Sequence, residues 1–537
     1  MYARFLRWAS DRMHDDGVLA FVTNRSFIDS RTFDGFRKTV ADEFHEIYVV
    51  DLGGDVRANP KLSGTKHNVF GIQTGVAISF LVKRRKQKGC KIFYARRPEF
   101  DTAEDKLAFM GSQKLSTLAF ERIEPDKKGN WINLAENQWD ELIPVADKKT
   151  KVAKTRGQEK AIFRLFSFGL VTNRDEWMFD RSSKALVDKV GYLVDRYDAD
   201  RRAITTGQRS LDELGSQEGD IKWTRSVKKA LSSGDRLSLE ATREIEVLYR
   251  PFDKQKLVFY PPLIEMLNQT RTLFGEDGAR PNRALVFTDP TSQKPFMVTG
   301  SECAVDMHLV GAAAGASCLP LYRYTSSGER VDNITDWGLK QFQSHYGKAE
   351  KISKEDIFHY VYGVLHDPLY REKYALNLKR EFPRIPFYPD FRAWADWGKR
   401  LMELHIGYET VEPWPLARLD TPDEKARAAG VSPKAILKAD REGGIIRLDS
   451  ETQLSGIPAE AWTYRLGNRS GLEWILDQYR EKTPKDPTIR EKFNTYRFAD
   501  YKEKVIDLLM RVTRVSVETV AITEAMKSAR RATEDAA

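Results

Sequence analysis

Residues 166–180 hold the densest set of side chains able to read or grip a polar ligand. Phe166-Ser167-Phe168-Gly169 runs into Val171-Thr172-Asn173-Arg174-Asp175 and then Trp177. A glycine turn followed by Thr-Asn-Arg-Asp offers donors and acceptors that can reach phosphates or base edges; the guanidinium suits guanine and the carboxamide suits adenine. The same residues equally fit an Asn/Asp turn closed by an internal Arg174–Asp175 pair. A second group is Tyr249-Arg250-Pro251-Phe252-Asp253. Arg250 and Asp253 read first as a pair bracing a proline turn, ahead of a direct contact from Arg250 to a base. Trp223 stands among basic residues (KWTRSVKK), which suits backbone contact plus stacking, or else an ordinary helix. His308 has no second histidine or carboxylate at ligand spacing and reads as a core or turn residue.

Composition sets wider bounds. At 537 residues the chain is too long for one core. A hydrophobic content of 41% with 11% aromatics supports packed domains. The net charge of +9 suits a polyanionic partner without requiring one. Cys90, Cys303 and Cys318 form neither a metal-ligand spacing nor a disulfide framework, which points to a reducing cytoplasm. No apolar run has the length of a membrane span.

The elements that must position these residues follow from periodicity. Residues 18–23, 47–52 and 75–82 are apolar or β-branched runs that read as strands. Phe33, Phe36, Val40 and Phe44 lie at roughly helical spacing between the first two. A strand, a crossover helix and two more strands fit the last third of a doubly wound α/β sheet. Helices are expected at 2–13, 102–109 and 117–123. Residues 148–154 (KKTKVAK) read as a linker, placing a boundary near 145–160. Short strands follow at 245–260, 284–287 and 296–298. From residue 352 the pattern turns helical, with one small β segment at 443–452, a terminal helix at 502–526 and a fraying tail beyond Ser528.

Several of these stretches carry a resemblance. AFVTNRSF (20–27), the DLGG after the second strand and VFGIQTGVAISFLVK (69–83) resemble the final strands of an adenine-N6 DNA methyltransferase. More closely, they resemble the single-polypeptide restriction-modification enzymes called Type ISP. The 162–180 stretch is similar to the element that opens the specificity region in Type ISP and related Type IIG enzymes. YRPFD (249–253), VDMHL (305–309), LPLYRY (319–324) and VYGVLHDPLYREKYALNLKREFPRIPF (361–387) match the same families.

The resemblance implies an α/β protein in three parts. Residues 1–150 would be the C-terminal strands of a Rossmann-like methyltransferase sheet, 151–350 an α+β target-recognition module, and 351–537 a mainly helical part of the specificity region. It implies double-stranded DNA as the partner. It also places an aromatic in the Asn68-Val69-Phe70-Gly71 turn, where a flipped adenine can stack, against the plain reading of Phe70 as core. It turns the basic run 83–91, with Lys83, Arg84 and Arg85, toward DNA as readily as toward solvent; the Gly/Asn/Pro-rich, basic loop 53–67 reads by composition as a contact to the phosphate backbone or equally as a solvated loop. The Asn/Asp-Pro-Pro-Tyr loop of these methyltransferases and their S-adenosylmethionine turn have no good match; Asn59-Pro60-Lys61, Asp367-Pro368-Leu369-Tyr370 and the small-residue run 311–317 are superficial. The expectation is that the first half of the methyltransferase and a helicase-nuclease part lie upstream of Met1 or on a separate chain. This chain would then hold no cofactor and methylate nothing alone, while the intact enzyme uses S-adenosylmethionine. The alternative is a separately encoded, non-catalytic DNA-binding specificity subunit that completes a methyltransferase chain.

Overall fold

Ile47, Val49 and Val50 give residues 46–51 an apolar run, and that run becomes an inner strand of a five-stranded sheet. The structure, a computed structural model, describes residues 2–55, 66–98, 100–126, 129–132, 138–146, 160–215, 220–240, 242–290, 292, 294–312 and 314–531. Most of the 53–67 loop, with Asn59-Pro60-Lys61, and the 148–154 linker lie outside the described residues. The chain falls into two compact units: residues 1–139, 290–295 and 373–381, and residues 140–289, 296–372 and 382–537.

The first unit opens with helix α1 (Tyr2–Ser10), strand β1 (Gly17–Asn24), helix α2 (Asp34–Glu43), and strands β2 (Glu46–Asp51) and β3 (Val76–Lys83). Strand β4 (Lys91–Arg96), helix α3 (Ala103–Ser112) and strand β5 (Glu121–Ile123) follow. The sheet order is β1-β3-β2-β4-β5. β3 is antiparallel to β1 and β2, so those two point the same way with β3 slotted between them, and β4 is parallel to β2. The like-directed β1 and β2 need a crossover, and α2, between them in the chain, supplies it. Val40 and Phe44 from the α2 region pack on Leu6, Ile47, Val49, Ala77, Leu81 and Ile92. The three runs read from the sequence are thus β1, β2 and β3. Residues 117–123 are not a helix: Leu115–Thr117 is a single 3₁₀ turn and β5 pairs antiparallel with β4. Pairing with an existing strand edge outweighs a short local helical pattern.

Two of the sequence stretches meet at the end of this sheet. Arg25 donates from Nε to both oxygens of the fully buried Asp51, at 3.0 and 2.9 Å. Tyr94 Oη and the Gly53 amide also donate to Asp51, at 2.8 and 2.9 Å. A Cβ on Gly75 would lie 3.0 Å from the Gly53 carbonyl and 2.5 Å from Arg25 Cδ, so a side chain there would push into this knot. Among the described residues β1 pairs with β3 alone. On that edge strand Val18 is 64% exposed and Val22 53%.

Glu43, at the end of α2, accepts from Arg7 Nη1 at 2.8 Å, from Ser10 Oγ and from Lys83 Nζ at 3.1 Å. Burial raises this carboxyl, but the hydrogen bonds from Arg7, Ser10 and Lys83 outweigh it and hold the group at about 2. The folded value lies below the unfolded one, so the clamp stabilises above pH ~4.3 and its contribution is lost as pH falls from there toward 2. Protection factors for hydrogen exchange across β1 and β3 should therefore fall in that window. Glu43→Gln should flatten the dependence; an unchanged pH profile in the variant would remove the clamp from the account.

The second unit carries several small sheets. Strands β6 (Ser167–Phe168), β7 (Phe179–Asp180), β8 (Arg243–Arg250), β9 (Asp253–Phe259), β10 (Ala284–Thr288), β11 (Val298–Ser301), β12 (Ala304–Val305) and β13 (Ala316–Pro320) form two four-stranded sheets, ordered β12-β8-β9-β7 and β11-β10-β13-β6. Helix α4 (Ser183–Thr205) covers the first through Leu186, Val190 and Leu193. A hairpin of β14 (Tyr322–Tyr324) and β15 (Arg330–Asp332) precedes helices α5 (Asp336–Tyr346), α6 (Lys354–His366) and α7 (Phe391–Ile406). Every residue of α6 from Ile357 to His366 is buried.

Where the sequence reading placed one small β segment, residues 417–455 build a four-stranded antiparallel sheet. Its strands are β16 (Ala417–Asp420), β17 (Ala435–Asp440), β18 (Ile445–Asp449) and β19 (Thr452–Ser455). β16 is exposed along its whole length, so its brief Ala-Arg-Leu-Asp alternation is too short and too solvated to stand out. Helix α8 (Gly471–Gln478) packs on the terminal helix α9 (Lys502–Lys527). The chain just beyond Ser528 does not fray: Arg531 is buried and paired with Asp367 at 2.7 Å. Residues 532–537 lie outside the described residues.

Candidate nucleic-acid interface

In the first unit, Asn68 builds a turn with its own side chain. Its Oδ1 accepts the Phe70 amide at 2.9 Å, its Nδ2 donates to the Thr74 carbonyl at 2.7 Å, and its carbonyl accepts the Gly71 amide at 3.0 Å. Gly71 takes a positive φ of 64°, which glycine adopts without a Cβ clash. The turn holds Phe70 out of the fold at 59% exposure, so the reading of Phe70 as core is corrected. An aromatic face presented this way is accessible to stack on a planar ring. The basic run is less open than its sequence suggests. Lys83 pairs with Glu43, Arg84 with Glu46 at 3.3 Å and Arg85 with Asp15 at 3.7 Å. The Arg85 pair is highly exposed and correspondingly weak, so Arg85 can exchange Asp15 for another anion.

In the second unit the 166–180, 249–253 and 305–309 stretches converge on one knot. A Cβ on Gly169 would sit 2.5 Å from the Val305 carbonyl and 2.6 Å from the Met307 amide, so only glycine lets the chain run against β12. Leu170 then bridges to Asp306 and Val171 to Met266. The turn that follows leaves Asn173 exposed at φ 53°, a left-handed conformation that asparagine tolerates better than most residues. Arg174 turns inward. It is 8% exposed, donates from Nη2 to Thr224 Oγ1 at 2.6 Å, and lies 5.5 Å from the Trp223 ring centroid. Burial lowers its guanidinium to about 10, with Glu265 pulling the other way. Asp175 is held by Thr172 Oγ1 and by Tyr249 Oη at 3.0 Å. Trp223 is itself buried, donating from Nε1 to Asp200 at 2.7 Å, which settles it as core in place of a stacking surface.

Arg250 does not pair with Asp253. It donates from Nη1 to Asp306 at 2.8 Å, while Asp253 takes Arg181 at 2.7 Å. The bracing role read for Arg250 survives with a partner 56 residues away. Asp306 also accepts the His308 amide at 2.9 Å. Burial raises the Asp306 carboxyl to about 7 against the pull of Arg250. Burial lowers the His308 imidazole, and Arg250 lowers it further. Sequence reasoning passed over Asp306; the signal available was an acidic residue inside the otherwise apolar AVDM run. Among the described residues no group of His, Cys, Asp and Glu could hold a metal, and no helix is long and apolar enough to cross a membrane.

A mixed α/β chain of small sheets, displaying a braced polar turn and an exposed aromatic turn, has the character of a recognition module. The family model described as the Type ISP C-terminal specificity domain matches residues 161–508, and the chain belongs to that family. Among solved structures it is similar to the DrdV–DNA complex, with a TM-score of 0.86 and 49% identity over 99% of this chain and 52% of that one. It is similar to a nuclease-deletion mutant of the Type ISP restriction-modification enzyme LlaGI in complex with a DNA substrate mimic (TM-score 0.81, 28% identity, 98% of this chain and 48% of that one). The ATP-dependent Type ISP enzyme LlaBIII bound to DNA gives a TM-score of 0.78 and 26% identity over 99% of this chain and 34% of that one. The chain thus spans about half the length of DrdV and LlaGI, and a third of LlaBIII. No curated protein matches it.

Proposed function

We propose that this chain recognises a DNA target sequence and supplies the C-terminal part of an adenine-N6 DNA methyltransferase within a Type ISP-like restriction-modification system. The observation that carries the reading is the likeness over 99% of the chain to DrdV, solved as a DNA complex. In this reading residues 1–150 end the methyltransferase sheet. The slotting of β3 between the like-directed β1 and β2 supports a Rossmann-like sheet edge, and the free side of β1 takes the next strand. Residues 151–350 form the target-recognition module and 351–537 the rest of the specificity region. Phe70 stacks on the flipped base. Asn173 reaches out from its turn, Arg174, Asp175 and Arg250 hold that turn from behind, and Lys83, Arg84 and Arg85 contribute to backbone contact. S-adenosylmethionine belongs to the intact enzyme.

The second reading, a separately encoded specificity subunit that completes a methyltransferase chain, draws on the same β1 edge. Exposed Val18 and Val22 there, and Phe5 and Trp8 on α1, suit burial against either an upstream segment or another chain. Both readings predict salt-dependent binding to duplex DNA with one preferred sequence. Selection from a randomised duplex library, followed by equilibrium titration, tests it. Equal affinity for unrelated duplexes would end the recognition claim.

A further inference from the structure

The four-stranded sheet of residues 417–455 buries one face only. Leu437, Ile446, Leu448 and Leu454 belong to the core of the second unit, and α8 packs on β17. Side chains alternate along a strand, so the residues between these face outward. The pairing registers set four of them in one row across the sheet: Leu419 opposite Gln453, Gln453 opposite Arg447, and Arg447 opposite Lys438. Leu419, Arg447 and Lys438 are exposed and Gln453 is half-buried. Toward α9 the charges of this sheet are matched: Arg418 pairs with Glu503 at 2.8 Å and Asp449 with Lys502 at 2.8 Å.

On the outer face they are not. Lys438 and Arg447 oppose each other directly across β17 and β18. Such side chains have Cβ atoms about 5 Å apart, and like charges there repel and destabilise the sheet. Neither makes an ion pair or a side-chain hydrogen bond among the described residues. Asp440 stands two residues beyond Lys438 on β17, with its Oδ1 engaged by the Gly443 amide at 3.1 Å. The backbone also aims Lys438. The register slips between Ala435 and Lys438, and Leu437 in that bulge sits at φ 48° with its side chain buried. A bulge redirects the side chains beside it, and a left-handed leucine is held there only by its surroundings.

We propose that Lys438 and Arg447 clasp one phosphodiester of duplex DNA between them, with the outer face of this sheet laid along the backbone. A single anion between the two tips cancels a repulsion that the free protein carries. Gln453, next in the row, adds a neutral donor. The contact positions the module on the duplex without reading sequence. The proposal rests on the DNA-recognition reading above and deepens it by naming a surface that the backbone of the target occupies.

The test uses the full chain and two variants. Lys438→Gln/Arg447→Gln removes both cations, and Lys438→Glu sets an opposite charge across from Arg447. Both should melt at or above the wild-type temperature, because the repulsion is gone. Fluorescence anisotropy across a salt series, on the preferred duplex and on a mixed-sequence one, reads binding. The slope of log K against log salt should shrink by about 0.9 in the neutral variant, for the one phosphate lost, and at least as much in Lys438→Glu. Both duplexes should weaken alike and the sequence preference should stay. A gain in stability with a loss of binding is a result that a merely solvated face does not give. A wild-type slope in the variants, with the preference intact, overturns the clasp and leaves the recognition reading standing. A melting temperature lowered by the neutral pair also overturns it, since the two cations would then not repel. A wild-type chain that binds unrelated duplexes equally brings the recognition reading down, while a reduced slope in the variants would still mark this face as a backbone contact.

Discussion

Gly398→Ala is expected to destabilise the second unit by about 3 kcal/mol, at the upper end of what overpacking a core costs. A Cβ at Gly398 would fall 2.7 Å from the His359 carbonyl carbon and 2.8 Å from the Gly363 amide nitrogen, and closer still to the His359 carbonyl oxygen. The reciprocal glycine is equally confined: a Cβ on Gly363 would meet the Trp394 carbonyl and lie 3.2 Å from the Gly398 amide. α6 and α7 therefore touch backbone to backbone. No side-chain rotation relieves the clash, and α6 is buried along most of its length and has little room to move. The helix-propensity gain of alanine over glycine, about 1 kcal/mol, offsets only part of it. Gly191→Ala is the control, since a Cβ there meets nothing within 4 Å; it should be neutral or slightly stabilising. Urea unfolding followed by tryptophan fluorescence separates the two, and a Gly398→Ala midpoint equal to wild type would refute the crossing.

The second large effect is expected at the end of α9. Arg531→Ala should cost about 3–5 kcal/mol, the range for removing one partner of a buried pair. Asp367 is fully buried and accepts from Arg531 at 2.7 and 3.2 Å and from Tyr388 Oη at 2.9 Å. Arg531 Nη2 also donates to the Met526 carbonyl at 2.9 Å, so the same side chain closes the helix. Removing it strands a carboxylate in the core. Asp367→Asn in the Arg531→Ala background should recover much of the loss, because a neutral amide is cheaper to bury than an unpaired charge. If the single variant unfolds at the wild-type urea midpoint, the pair has no structural weight.

The first three strands were legible because β-branched runs in a buried sheet leave a direct trace, as 47–52 does. The polar knot was legible only in its parts. Residues 172–175 and 249–253 stood out, but adjacency suggested local pairs, Arg174 with Asp175 and Arg250 with Asp253. The fold instead draws Arg174 to Thr224 and Arg250 to Asp306. A charged side chain with an ion-pair neighbour in sequence carries no mark of the partner that tertiary packing will offer. The tail misled for the same reason. Its small, charged composition reads as solvated, and the one arginine that is buried finds its acid 164 residues away. Phe70 was ambiguous because an exposed and a buried phenylalanine look alike until the Asn68 turn fixes which way the ring faces.

That 164-residue separation has a consequence for how the protein is made. At translation rates of about 5–20 residues per second, Asp367 leaves the ribosome roughly 8–33 s before Arg531 does. Through that interval Asp367 lacks the Arg531 guanidinium, and the pair that ties the end of α9 to the α6 end cannot form. The second unit therefore completes this contact only after α9 has been made.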